Sequence, residues 1–333
     1  MELLSGKVAV VTGAGRGIGR GEALALARHG AAVVVNDLGA AGDGDGTDQR
    51  PAQQVVDEIV AAGGRAVANY DSVTDFDRAG GLIRQAIDEF GRLDILVNNA
   101  GILRDRMIYN LSPEDVDAVI GVHLRGHLWT ARHACAYWRA EHKAGRPVAG
   151  RIVNTSSASG MFGMIGQTSY AAAKAGIAAI TQVTSMEMAR YGVSVNAVCP
   201  TARTRLTGAG GAPDGQGEPE GWYLKHPDNV GPFVAYLCSD AAADITGQVF
   251  GVFGGVVQRY EGWTPAEIIQ RTEPGPWEMA ELVARGAELF GTGSSGFTSR
   301  MGEIGELIDA AQSALDGNGS ARPGIGASAG RAM

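Results

Sequence analysis

Short apolar runs recur along the first 260 positions, each followed by a longer stretch in which apolar residues return every three or four. Val8–Val11, Ala32–Val35, Arg65–Ala68, Asp94–Val97, Arg151–Asn154, Val193–Asn196 and Gln248–Val252 read as strands. A wholly apolar run such as Val8-Ala9-Val10-Val11 suits a strand covered on both faces of a parallel sheet. Helical periodicity fills the intervals, through Ala23–His29 and over about 51–62, 75–90, 113–142, 168–191 and 228–239. Such alternation predicts an α/β fold, a doubly wound parallel sheet with helices on both faces, and one domain over residues 1–260. Beyond 260 the pattern changes. Pro265–Thr272, Pro276–Phe290 and Gly302–Leu315 read as short helices of a C-terminal extension over 261–315. Residues 316–333 are small, polar and glycine-rich, and read as a disordered tail.

Composition narrows the class. Of 333 residues, 45% are hydrophobic and 19% charged, as in globular domains. The net charge of −8 comes without any basic run, which argues against nucleic-acid binding. No apolar run approaches the ~20 residues of a membrane span, and the N-terminus has no signal-peptide pattern. Three cysteines, Cys135, Cys199 and Cys238, are scattered, which fits a reducing compartment, with the cytoplasm the expected location. Many of the 50 glycines crowd 39–46, 208–221 and 316–330, which read as loops.

Candidate chemistry begins at the first turn. Thr12-Gly13-Ala14-Gly15-Arg16-Gly17-Ile18-Gly19 joins a strand to a helix, where glycines let a pyrophosphate approach the free N–H groups of the helix N-terminus. Its G-x3-G-x-G spacing departs from G-x-G-x-x-G. Asp37 ends the second strand, where a carboxylate accepts both ribose hydroxyls of an adenosine and repels a 2′-phosphate. That favours NAD. Arg16 argues for NADP, since a cation in the turn can pair with the phosphate; the charge clash at Asp37 weighs more.

Tyr170 and Lys174 lie one helical turn apart and share a face. A tyrosine ordinarily titrates near ~10, and a neighbouring ammonium favours its ionised form, bringing it toward useful general-base chemistry. Ser157, upstream, offers a hydroxyl to orient an alcohol or carbonyl. His123 and His127 are also one turn apart; no third ligand accompanies them, and no metal is expected.

Together, Thr12–Gly19, Asn98-Asn99-Ala100-Gly101, Ser157 with Tyr170 and Lys174, and Asn196-Ala197-Val198-Cys199-Pro200 resemble the short-chain dehydrogenase/reductase family over about residues 5–260. That resemblance implies a single Rossmann-type domain carrying both cofactor and substrate sites. Val35–Gly39, Val67–Val73, Asn98–Arg106, His123–Gly126 and Ser156–Gly160 further resemble its (3R)-hydroxyacyl-CoA dehydrogenase subgroup, the dehydrogenase units of peroxisomal multifunctional enzymes, also described as hydroxysteroid dehydrogenases. Carried over by position, Gly13, Arg16, Gly17, Ile18 and Gly19 face the pyrophosphate and Asp37 the ribose. Asp71 and Ser72 flank the adenine, and Asn99, Ala100 and Gly101 run beneath the adenosine half. Thr155, Pro200 and Thr204 border the nicotinamide. Tyr170 and Lys174 contact the cofactor as well as acting in catalysis with Ser157. His123 stands where the family has a catalytic asparagine; it keeps a proton relay through its backbone carbonyl or its ring, or is a packed helix histidine. The family's Pro-Gly after the sixth strand is Pro200-Thr201.

The implied activity is interconversion of a secondary alcohol and a ketone with NAD, on a hydroxyacyl-CoA or hydroxysteroid substrate. A biosynthetic NADPH-dependent 3-ketoacyl reductase and a non-catalytic nucleotide-binding protein are the alternatives. A mobile lid is expected over 202–230, with Trp222, Tyr223 and Leu224 covering an apolar substrate, and Met161, Phe162 and Met164 lining the same pocket. Arg104, Arg106 and Lys225 are candidates for CoA phosphates. The family expectation is a homodimer or homotetramer built on helices 113–142 and 168–191.

Overall fold

A computed structural model describes residues 2–204, 223–263, 265, 268–271, 276–290 and 299–315. Strands β1 (Val8–Thr12), β2 (Ala32–Asn36), β3 (Arg65–Asn69), β4 (Ile95–Asn98), β5 (Gly150–Thr155), β6 (Val193–Pro200), β7 (Val249–Phe253) and β8 (Val256–Tyr260) form one eight-stranded sheet. Its order is β3-β2-β1-β4-β5-β6-β7-β8. β1 to β7 pair in parallel; β8 returns antiparallel on β7. The order reverses between β1 and β4, and ligands of open α/β sheets bind at such a switch point, beyond the strands' carboxyl ends.

The apolar runs are continuous because both sheet faces are buried. Ala9, Val11, Val33 and Val35 enter one core cluster, whereas Val8, Val10, Ala32 and Val34 enter the other. Successive side chains alternate faces, so every residue of such a strand contributes. Full burial of each valine stabilises by roughly 1.5–3 kcal/mol before chain entropy is counted.

The helices are α1 (Gly17–Arg28), α2 (Arg50–Ala61), α3 (Phe76–Phe90), α4 (Pro113–Ile120), α5 (Gly126–Lys143), α6 (Ala158–Phe162), α7 (Thr168–Met188), α8 (Gly231–Cys238), α9 (Met279–Arg285) and α10 (Met301–Leu315). α3 starts where Asp75 accepts from the Arg78 N–H at 2.9 Å and stops at Gly91, whose φ of +83° favours glycine. The helix expected over 113–142 is divided: a π-helical turn, Gly121–Arg125, separates α4 from α5. Neither α6 nor β8 stands out in the pattern.

In the extension, a helix expected from 265 to 272 is absent at the described residues there. The one expected over 276–290 reduces to α9 followed by a 3-10 turn, Gly286–Phe290. The tail 316–333, Trp222 and most of the expected lid lie outside the described residues.

Candidate active site

At the switch point the chain forms one crevice. Gly13, Arg16, Gly17, Ile18 and Gly19 from the first turn line it, with Asp37 after β2, Asp71 and Ser72 after β3, Asn99, Ala100 and Gly101 after β4, and Thr204 after β6. Gly13 and Gly17 have φ of +63° and +53°. A Cβ on Gly13 would sit 2.8 Å from Ala100 Cα, and one on Gly19 would collide with the Gly13 carbonyl. The cradle is therefore backbone laid against backbone. Thr12 Oγ1 accepts from the N–H groups of Asn99 (3.0 Å) and Ala100 (3.1 Å), and the Asn99 amide donates back to the Thr12 and Gly13 carbonyls, both at 3.0 Å. The helix start, opened by Gly17 and Gly19, and the acceptor set fit a dinucleotide with its pyrophosphate over α1.

The Asp37 carboxylate accepts from Gly15 N–H at 2.8 Å and Gly39 N–H at 2.6 Å. The glycine-rich insertion after it folds over the same crevice, and Ala40, Ala41 and Gly44 line it. In the sequence this insertion reads only as a glycine-rich loop, with no sign of that role. The strap is tied down by Leu103 N–H on the Gly42 carbonyl (3.0 Å), and by Arg104, which donates to the Asp43 carbonyl (2.8 Å) and to Asp45 (3.2 Å). Arg104 also pairs with Asp115, as does Arg106. Both arginines are thus engaged by carboxylates, which removes the basis for assigning them to CoA phosphates. Lys225 is exposed and its carbonyl accepts from Arg203 N–H.

Tyr170 and Lys174 emerge from the first turns of α7, and Ser157 N-caps α6. Ser157 and the Tyr170 hydroxyl are hydrogen-bonded. Lys174 is buried, 2% exposed, with Nζ 5.5 Å from the Tyr170 ring centroid, and donates to the Thr155 carbonyl at 2.6 Å. The Ser156 hydroxyl holds the Lys174 backbone carbonyl at 2.7 Å. Burial lowers the Lys174 pKa to about 7, with the Cys199 thiol and the Glu22 carboxyl working the other way. Burial pushes Tyr170 up to about 12, against the Ser157 hydrogen bond. Burial is the largest influence on the phenol, and the lysine ammonium lies against the ring and bonds a backbone oxygen.

His123 sits in the π-helical turn, 2% exposed. Its Nε2 lies 2.8 Å from the Ile102 carbonyl and 3.1 Å from the Ile102 N–H. Its ring meets Tyr170 edge-on, with centroids 5.1 Å apart and planes at 87°. Burial and the Lys174 charge hold its pKa well below the usual histidine value. The ring is a neutral prop between Tyr170 and the loop after β4. His127, held at about 3 mainly by burial, is neutral too. Among the described residues no group of three or more His, Cys, Asp or Glu is placed to hold a metal.

Glu22 was not anticipated. It is wholly buried on α1, and neither carboxylate oxygen has a partner among the described residues. Burial pushes its pKa up to about 8, against the pull of Lys174. A lone glutamate in a glycine-alanine helix gives no signal of this from composition alone.

Met161 and Phe162 do not face the crevice, contrary to expectation. Met161 packs against the Ala197–Cys199–Val249 cluster, and Phe162 meets Tyr260 edge-on at 5.2 Å. Four and five residues after its N-cap, α6 has turned these side chains toward β6, β7 and β8. Met164 is 43% exposed, and Leu224 is buried at 5%. Thr201 N–H bonds the Val252 carbonyl at 2.9 Å, so β6 and β7 stay paired past Pro200.

The family profile for short chain dehydrogenases matches residues 7–209. A crystal structure of a short chain dehydrogenase from Mycobacterium avium superposes with a TM-score of 0.77 at 50% identity, covering 88% of this chain and 97% of that one. Hydroxyacyl-CoA dehydrogenase ChsB1 of Mycobacterium tuberculosis is 47% identical over 300 residues, 86% of this chain and 89% of the relative. Peroxisomal multifunctional enzyme type 2 of Drosophila melanogaster is 45% identical over 258 residues, 78% of this chain but only 39% of that protein. The chain belongs to the short chain dehydrogenase family: it is an oxidoreductase, and the family binds a nicotinamide dinucleotide. No helix among the described residues is long and apolar enough to cross a membrane.

Proposed function

We propose that this short chain dehydrogenase oxidises the hydroxyl of a 3-hydroxyacyl-CoA, or of a steroid-like secondary alcohol, with NAD as the acceptor. The observation that carries the cofactor choice is the Asp37 carboxylate, fixed in the crevice by two backbone N–H groups. An anion there suits two ribose hydroxyls and repels a 2′-phosphate. Arg16 lines the same crevice from the N-cap of α1, whereas the Asp37 carboxylate is held in place by two backbone N–H groups. Asp71 adds a further acid to the lining.

When bound, the dinucleotide supplies the hydride acceptor. The protein's own groups do the rest. Gly13, Gly17 and Gly19 keep side chains away from the pyrophosphate, with Ile18 and Arg16 beside it. Asn99, Ala100 and Gly101 form the floor under the adenosine half, with Asp71 and Ser72 at its edge. Thr155, Pro200 and Thr204 close the nicotinamide end. Ser157 holds the substrate oxygen and Tyr170 takes its proton. Lys174 favours the phenolate to the extent that it is protonated. His123 acts by position, propping the Tyr170 ring, with its backbone in the π-helical turn, a feature often found at functional sites.

The relatives named for hydroxyacyl-CoA dehydrogenation support the substrate class. The exposed Leu128 on α5 and Val183 and Met186 on α7 support a homodimer or homotetramer built on those helices. Three free thiols support a reducing compartment, the cytoplasm.

Initial rates with 3-hydroxybutyryl-CoA and either NAD or NADP test the reading. The expected kcat/KM is at least ~10-fold higher with NAD, the worth of about 1.4 kcal/mol at the ribose. A clear preference for NADP defeats the Asp37 argument and selects the reductase reading that Arg16 favours. Absence of turnover with any acyl-CoA or steroid alcohol selects the non-catalytic one.

A further inference from the structure

Large apolar side chains crowd one stretch of surface beside the catalytic group. Met107 is 40% exposed, Ile108 63% and Tyr109 75%; across from them Met164 is 43% and Ile165 87% exposed. Single exposed apolar residues are ordinary, but a contiguous group beside a site marks a binding surface. Contiguity here is structural. Arg106 and Gln167 form a parallel bridge, and the Arg106 N–H donates to the Gly166 carbonyl at 2.8 Å. The Gln167 side chain ties Ser159 (2.7 Å) to Asp105 (2.9 Å). Both segments run directly from the catalytic centre. One leaves Ile102, which holds His123; the other joins the helix capped by Ser157 to the helix of Tyr170.

The charges around this surface are spent. Arg104 is paired with Asp45 and Asp115, and Arg106 with Asp115. The surface therefore reads apolar bulk rather than phosphate. The C-terminal extension fixes one side of it. Ser299 Oγ lies 2.7 Å from the Phe162 carbonyl and 3.0 Å from that of Gly163, and caps the Met301 N–H at 3.2 Å. Arg300 stacks over the Phe162 ring at 5.9 Å, and Ile304 of α10 is 7% exposed. The base of the Met164–Ile165 loop is thus clasped by residues beyond the reach of the matched family profile.

We propose that this shelf receives the apolar body of the substrate, an extended acyl chain or fused ring carrying the hydroxyl at Ser157 and Tyr170, and that the extension serves to hold the shelf's Met164–Ile165 side. The substrate class is then a 3-hydroxyacyl thioester with a large hydrocarbon body, not a short one; this rests on the hydroxyacyl reading above.

Two series of CoA esters with four to twelve acyl carbons test it. With the 3-hydroxy series, wild-type kcat/KM rises about twofold per added methylene, below the roughly fourfold of full burial because the shelf is open on one side. Ile165→Ser and Ile108→Ser, at exposed positions, flatten that rise while leaving the four-carbon rate within about twofold, and Ser299→Ala weakens it. With the saturated series, which has no hydroxyl to oxidise, calorimetric affinity shows the same length dependence and the same loss in the variants. Length dependence in binding without turnover of any hydroxy ester sinks the hydroxyacyl reading and leaves the shelf standing. A flat wild-type binding series, or variants with the wild-type slope, overturns the shelf. So does a shift from dimer to monomer in sedimentation of Ile165→Ser, which would make this face a subunit interface.

Discussion

The two ends of the site are built differently. The dinucleotide end is backbone against backbone: glycines of one turn packed on Ala100, locked by Thr12 and Asn99, with a strap returning over it. The substrate end is assembled from separate segments, around Arg106, Gly166 and Ser299, whose side chains stay partly open. The first arrangement tolerates no added atom and serves a ligand of fixed shape. The second is open in side chain, as the proposed shelf for a hydrocarbon body requires.

The sharpest way to separate the two ends is Tyr170→Phe. Turnover should fall by ~10²–10⁴-fold, as for loss of a general acid–base group, while dinucleotide affinity stays within about twofold by fluorescence titration. Near wild-type turnover would remove Tyr170 from the chemistry.

Gly19→Ala strikes the other end. The new methyl meets the Gly13 carbonyl and the Asn99 amide, neither of which can yield without breaking the lock. Overpacking of about 1–3 kcal/mol weakens dinucleotide binding by roughly 5- to 150-fold, with acyl-CoA binding to the shelf unchanged. Unaltered dinucleotide affinity would show the cradle to be softer than its contacts imply.

Glu22, buried on α1, is read through stability rather than turnover. Its pKa is about 8 in the folded protein against an ordinary 4.5, so the folded state keeps a proton that the unfolded chain has released. That contribution to stability is full below about 4.5 and is lost as pH rises through about 8, at up to ~1.4 kcal/mol per pH unit. Lys174 acts oppositely: with a folded value of about 7 against 10.5, it adds stability as pH rises between them. His123 and His127, both held below 6.5, also add stability as pH rises toward that value, so Glu22 is isolated by difference: in urea denaturation between pH 5 and 7, wild type should lose stability relative to Glu22→Gln by up to ~1.4 kcal/mol per pH unit. Parallel curves for the two proteins would mean the carboxyl is already ionised.

Much of the fold was legible. The predicted strands match β1 to β7 closely; in β1 and β2 burial on both faces leaves an unbroken apolar run, whereas the edge strand β3 is only partly buried. β8 escaped because its edge residues, Gln258 and Arg259 among them, are exposed and need no such run. The π-helical turn at 121–125 escaped because Gly-Val-His-Leu-Arg continues the helical pattern on either side. The glycine turn, Asp37 and the shared face of Tyr170 and Lys174 were readable from spacing. The hydrogen bond of Lys174 to Thr155, the upward shift of Tyr170 and the pairing of Arg104 and Arg106 with acids were not.

By itself, the order of residues determined the strand–helix alternation, the nucleotide turn and the shared face of Tyr170 and Lys174, because these depend on neighbours within a turn or on backbone geometry that only glycine permits. Tertiary structure alone decided which charges are already matched, how far burial shifts Tyr170 and Lys174, and how residues 106, 166 and 299 join into one surface. Those outcomes depend on desolvation and on contacts between distant segments, quantities that no local pattern along the chain contains.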